Sequence, residues 1–327
     1  MAFFASSQRV LALTAFVVAA VFPLAAQAMD QGFYIGFATR MMIYVMAVTS
    51  LNLLVGYAGL VSFGHAAYFG VGAYTLGMLT VWSQSFLPSW FTSAWIAWPA
   101  AMVFSGLLAL GVGALALRTR QVYFIMITLA FSQMVYFLFI GMESFGSDNG
   151  MSLPARSVVG LGVDLANDTS FYYVVLGLTA ATLLALAVVV RSRFGVVIQG
   201  ISENESRMAA VGFPVYRYKL ACFVVGGAVA GLAGALLANQ NTYISPRLLD
   251  WTQSGSLLVM LILGGVGYRC GGVYGVVLLL LLEEVLSSHT AYWQFFVGLG
   301  VIAVVLLGNN GIASLIERLW RGQKGHP

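Results

Sequence analysis

The sequence predicts an all-α integral membrane protein of about ten transmembrane helices, with a short cytoplasmic helix between two of them. Three observations carry this. Hydrophobic residues make up 60% of the chain and charged residues 8%, too little polar surface to cover a water-soluble globule. The apolar residues fall into runs close to the roughly 20 residues that a helix needs to cross a bilayer. The basic residues gather at alternate ends of those runs, the positive-inside asymmetry of a multi-pass protein.

The runs lie near 10–28, 33–55, 62–82, 94–117, 121–142, 171–190, 219–240, 251–267, 272–288 and 291–308. With a cytoplasmic amino terminus, 12 of the 15 basic residues fall inside: Arg9, Arg118, Arg120, Arg191, Arg193, Arg207, Arg217, Lys219, Arg269, Arg318, Arg321 and Lys324. Arg40, Arg156 and Arg247 remain outside or near the outer face, while segment 143–170 carries Glu143, Asp148, Asp164 and Asp168. Both termini are therefore expected in the cytoplasm. The net charge of +4 marks the cytoplasmic side and gives no reason to expect nucleic acid. Residues 1–28 form the first span, a possible signal anchor. Arg9, the apolar core and Ala26-Gln27-Ala28 also imitate a cleavable signal peptide, and both alternatives deliver Met29 to the outer side. Residues 29–310 are expected as one transmembrane domain and 311–327 as a cytoplasmic tail. Cys222 and Cys270 lie at cytoplasmic span ends, where a disulfide is disfavoured, and read as small buried packing residues.

Segment 51–74 places Gly56, Gly59, Gly64, Gly70 and Gly72 in an apolar region and predicts a broken or re-entrant turn. Irregular backbone at membrane depth is tolerated where protein or a water-lined cavity satisfies it, so Asn52, Gly56, Gly59, Ser62 and His65 are candidates for a translocation path. Close helix crossing is the competing reading of the glycines, and a hydrogen-bonded structural role that of His65. Thr128 and Gln133 join the candidates as polar groups of the span opened by Tyr123-Phe124. Gly226-Gly227 with Gly231 and Gly234 predicts tight packing, and Gly264 to Gly275 a cytoplasmic turn at Tyr268–Gly271.

Arg191 to Lys219 gathers seven of the 26 charged residues between two apolar runs, on the cytoplasmic side by the count above. Ser202-Glu203-Asn204-Glu205 reads as a capping box, and Gly212 and Pro214 as stop signals, for a helix from Glu203 to Val211. No nucleophile elbow, Walker sequence or metal-ligand spacing is present, so no catalytic residue and no metal ligand is assigned. Uphill transport then takes its energy from a partner or from ion coupling. For ion coupling the spans offer Glu283 and Glu284, both toward the outer end.

These stretches together resemble the branched-chain amino acid ABC-importer permeases, and the M-type subunit more than its H-type partner. The resemblance covers about residues 40–308: Gly64-His65-Ala66-Ala67-Tyr68-Phe69-Gly70-Val71-Gly72-Ala73-Tyr74, Tyr123 to Phe131, Gly146 to Met151, Arg191 to Leu220 and Gly264 to Gly275 stand in the family's order and spacing. It implies a non-catalytic permease paired with a homologous second permease, two cytoplasmic ATPases that bind ATP-Mg, and an extracytoplasmic substrate-binding protein, in a bacterial inner membrane. No cofactor is implied on this chain itself. The charged-loop helix becomes a coupling helix, with Glu203, Asn204, Glu205, Met208, Ala209, Ala210 and Gly212 at the ATPase and Met208, Val211 and Phe213 as apolar anchors. Branched-chain amino acids are the implied cargo, with urea, short amides and aromatic acids as the cargo of related permeases. Val196, Val197, Gln199 and Ser202 depart from the pattern, standing where relatives often carry arginines.

Overall fold

A computed structural model of the chain describes residues 18–24, 27, 32–83, 88–119, 121–160, 164–290, 292–307 and 311–313. Most of the expected first span lies outside the described residues, although 18–24 and Gln27 are helical. The carbonyls of Ala19 and Ala20 accept hydrogen bonds from the Tyr172 and Tyr173 hydroxyls. Of the expected tail, only 311–313 are described.

The helices are α1 (Gly32–Asn52), continued by a π-helical turn Leu53–Tyr57, α2 (His65–Trp82), α3 (Ala94–Ala116), α4 (Val122–Gly141) and α5 (Asp168–Arg191). Then come α6 (Arg193–Glu203), α7 (Glu205–Ala210), α8 (Val215–Asn241), α9 (Trp251–Gly264), α10 (Gly271–His289) and α11 (Trp293–Leu307). Among the described residues six are long and apolar enough to cross a membrane: α1 with its π turn, α3, α4, α5, α8 and α10. The chain is thus a multi-pass helical membrane protein. The runs expected at 62–82 and 251–267 are shorter as helices: α2, with 18 residues, begins only after an irregular segment, and α9, with 14, starts at Trp251 as expected but ends at Gly264, before Gly265 at φ 112°. Two strands of two residues, β1 (Met151–Ser152) and β2 (Tyr243–Ile244), pair antiparallel. They tie the segment after α4 to the end of α8, where Thr242 turns the chain at φ 50° and its carbonyl accepts Leu153 N–H at 2.8 Å.

Helix α8 is the centre of the bundle, packed by α1, α2 and α3. Its glycines let backbones meet directly, as the small-residue spacing predicts. A β-carbon on Gly234 would strike the Phe69 carbonyl of α2, one on Gly231 would strike Ser105 of α3, and one on Gly72 of α2 would strike the Gly231 carbonyl. Cys222 is buried on this helix as expected, but Cys270 is exposed: it sits in the turn before α10, outside the packed helices. The turn itself forms as predicted, with Gly271 N–H donating to Tyr268 C=O at 3.1 Å.

Between α4 and α5 Arg156 gathers the long segment. Its guanidinium pairs with Asp168 at 2.7 Å, donates to the Leu165 carbonyl at 3.0 Å and stands over the Phe171 ring. Next to it the buried Asn239 amide accepts Ser157 N–H at 2.9 Å, which anchors the same segment to the end of α8.

The glycine contacts predict a sharp contrast. Gly72→Ala and Gly234→Ala force a β-carbon into backbone that cannot yield, at a cost of about 1–3 kcal/mol or more. Gly177→Ala on α5 meets nothing within 4 Å. Thermal unfolding in detergent should show the first two several degrees less stable and the third unchanged; equal Tm values would contradict the packing.

Candidate functional site

Two interruptions of the helical bundle are both tied to α4. The first follows α1. Its last residue, Asn52, is buried and turns its amide toward the α9–α10 turn: Nδ2 donates to the Tyr268 carbonyl at 2.8 Å, and Oδ1 accepts Gly267 N–H at 2.9 Å. Gly56, one turn later, lies against Gly267 with no room for a β-carbon. After the π-helical turn the backbone reverses at Gly59 (φ 67°) and runs without helix to Gly64. This is the break expected from the glycine pattern. Its polar groups are met by side chains: Phe63 N–H donates to Thr128 Oγ1 at 3.3 Å, Gly64 N–H to Ser62 Oγ at 3.2 Å, and Ala66 N–H to Ser254 Oγ at 2.9 Å.

His65 opens α2 and is fully buried, with Nε2 2.8 Å from Ser50 Oγ. Ser50 has one hydroxyl proton, which goes to the Ala47 carbonyl at 2.7 Å, so the imidazole must be the donor through Nε2. Nδ1 is then a bare acceptor, and it has no hydrogen-bond partner among the described residues. Asn52, Ser62, His65 and Thr128 are thus buried groups that hold the break together and border no open surface in this conformation.

The second interruption precedes α9. Chain 242–249 leaves the end of α8 through β2 and a single turn, Pro246–Leu249, before Asp250 caps α9 by accepting Trp251 N–H at 2.8 Å. Two residues of α4 hold this cap. Ser132 Oγ donates to the Leu249 carbonyl at 3.3 Å, and Gln133 Nε2 donates to Asp250 Oδ1 at 3.1 Å. Thr252 Oγ1 donates to the other carboxylate oxygen at 2.6 Å. Gln133 is therefore the one polar path candidate from a span that remains half-exposed. Asp250, its partner, was missed from sequence because it stands just ahead of an apolar run. The signal was present in Asp250-Trp251-Thr252-Gln253-Ser254-Gly255-Ser256, an unusually polar start for a span.

The charged segment folds differently from the expectation. Ser202 does not cap a helix, and no capping box forms. An amphipathic α6 with Ile198 and Ile201 buried runs on through Ser202 to Glu203, and Asn204 breaks it in extended backbone (φ −155°). Asn204 Oδ1 then accepts Arg207 N–H at 2.9 Å and starts α7, which has six residues instead of about ten. Glu205 pairs instead with Lys219 of α8 at 2.7 Å. Glu203, Asn204, Glu205, Ala209, Ala210 and Gly212 are exposed, as is Val211. Met208 and Phe213 are not free anchors: Met208 packs inward on Gly200, and Phe213 meets the Tyr218 ring. Of the four positions that depart from the arginine pattern, Val196 is exposed. Gln199 bonds to the Gly195 carbonyl of its own helix, and Ser202 lies against Gly59. A continuous path of contacts results, from α7 through Met208 to α6, from Ser202 to Gly59, and from Gly56 and Asn52 to Gly267 and Tyr268.

Comparison with known proteins agrees with this architecture. The model of the family described as branched-chain amino acid transport system / permease component matches residues 33–305. The high-affinity branched-chain amino acid transport system permease protein LivM of Salmonella typhimurium is 27% identical over 293 residues, covering 83% of this chain and 67% of that protein. LivM of Escherichia coli K12 matches to the same extent. The LivH permease protein of Escherichia coli K12 is 22% identical over 276 residues, covering 81% of this chain and 88% of its own. No solved structure matches significantly. The chain belongs to the branched-chain amino acid transport permease family, and within it to the M type.

Proposed function

We propose that the chain is one of two homologous permease subunits of an ATP-binding cassette importer that carries branched-chain amino acids into the cell across a bacterial inner membrane. In this reading the chain has about ten spans, the first within 1–28 and the others in the unit from residue 29 to 310, with both termini cytoplasmic. Two partner ATPases bind and hydrolyse ATP-Mg, and a binding protein outside delivers the cargo. The cargo follows from the relatives' names, and the second permease from the match to both LivM and LivH proteins.

The observation that carries the reading is the path of contacts from α7 to the first helix interruption and on to the α9–α10 turn. The exposed face of α7, with Glu205, Ala209, Ala210 and Gly212, offers small residues and a charge to an ATPase groove. Met208 and the Lys219–Glu205 pair fasten the helix to the chain's own body. A push on α7 then reaches α6 as a rigid unit, and Ser202 passes it to Gly59. The break at 58–64 is the hinge that this displacement would bend, and Asn52 carries it to the α9–α10 turn.

Two outcomes follow. With Cys270 replaced by Ser, Ser206→Cys on the exposed side of α7 should crosslink to a cytoplasmic ATPase subunit and stay unlabelled by an impermeant reagent added outside; labelling from outside would overturn the topology. Asn52→Leu removes both hydrogen bonds to Gly267 and Tyr268, each lost partner costing about 1–3 kcal/mol. In proteoliposomes holding the whole importer, the amino acid taken up per ATP hydrolysed should fall about tenfold. An unchanged ratio would remove Asn52 from the coupling path.

A further inference from the structure

Resting on the reading as an amino-acid importer, we propose that the exposed face of α9 headed by Asp250 is a wall of the translocation path, and that the Asp250 carboxylate receives the ammonium group of the passing amino acid. The first argument is depth. Asp250 is held by Gln133, the twelfth residue of the 20-residue α4, and Leu249 by Ser132, the eleventh. At 1.5 Å per residue this is about 17 Å along a helix of about 30 Å, near the middle of the bilayer.

The second argument is charge. The Asp250 carboxylate accepts from Gln133, Thr252 and the Trp251 N–H, all neutral donors, and no cation lies within ion-pair distance among the described residues, whose ion pairs are Arg156–Asp168 and Lys219–Glu205. A half-exposed carboxylate halfway along a spanning helix, met by three neutral donors and by no counter-charge among the described residues, is poorly placed against lipid. In this proposal the face lines a water-filled space, and a cation that visits that space completes the carboxylate.

The third argument is the face below it. Thr252 and Ser256 are exposed one turn apart, with Gly255 between them open to space, and the same stripe becomes apolar at Val259, Ile262 and Val266 toward the cytoplasmic end. A polar station above an apolar slope suits a molecule with a zwitterionic head and an aliphatic side chain. Asp250 also caps α9, and the two roles are separable, because Asn caps a helix about as well as Asp while carrying no charge.

The test uses the complete importer in proteoliposomes, with its ATPases and binding protein and with Cys270 replaced by Ser. Asp250→Asn should lower ATP-driven leucine uptake about tenfold or more at matched amounts of assembled complex, and Asp250→Glu should recover part of it. Ser256→Cys should react with a charged, membrane-impermeant thiosulfonate, and saturating leucine during turnover should slow that reaction. Wild-type uptake by Asp250→Asn, or a Ser256→Cys thiol that no water-borne reagent reaches, would overturn the inference and make the face a packing surface for the second permease. Absence of ATP-driven amino-acid uptake by the unaltered importer would instead sink the reading on which it rests.

Discussion

Backbone that is not helical inside a membrane must find its hydrogen bonds within the protein, and this constraint shapes the chain more than any other. The two interruptions, at 58–64 and 242–249, meet it by borrowing from each other's half of the molecule. Ser254 of α9 receives the Ala66 N–H that opens α2, while Asn52 of α1 clamps the turn that follows α9. Helix α4 serves both, through Thr128 to the first break and through Ser132 and Gln133 to the second. Neither break is satisfied without the other half in place, so the two halves are committed to one arrangement.

The glycine-lined α8 makes that arrangement possible. Apolar side chains gain little by leaving lipid for one another, so helices in a bilayer hold together by close fit. Removing β-carbons at Gly231 and Gly234 brings α2 and α3 to backbone contact with α8. The close-packed centre contrasts with the periphery, where α4 and α5 expose much of their length and α7 is held by its Asn204 cap, Met208 and the Lys219–Glu205 pair. In the proposed reading, motion imposed on α7 would be carried by the few contacts at Gly59, Gly56 and Asn52.

Much of this was legible in the residues alone. Glycine spacing located the first break and the α8 packing, and the α9–α10 turn was readable from its glycines. The cap of α7 was not. Ser202 and Asn204 offer equivalent chemistry in sequence, and the choice fell to Asn204 because burial of Ile198 and Ile201 extends α6 past Ser202. Likewise Met208 and Phe213 read as outward anchors because hydropathy gives no direction, while packing on Gly200 and Tyr218 turns them in.

What the sequence by itself determined was the medium and the class of protein: an apolar, glycine-rich chain with one-sided basic charge can fold only across a bilayer, and its ordered motifs carry the family. What only the tertiary structure decided was which polar groups are structural and which are available. His65, Ser62 and Thr128 went to the interior as ties, and Asp250 was left half-exposed beside the middle of α4, with only neutral partners among the described residues. Hydrogen-bond satisfaction is a property of residues far apart in the chain, 188 positions for Ala66 and Ser254 and 117 for Gln133 and Asp250, and no local pattern records it.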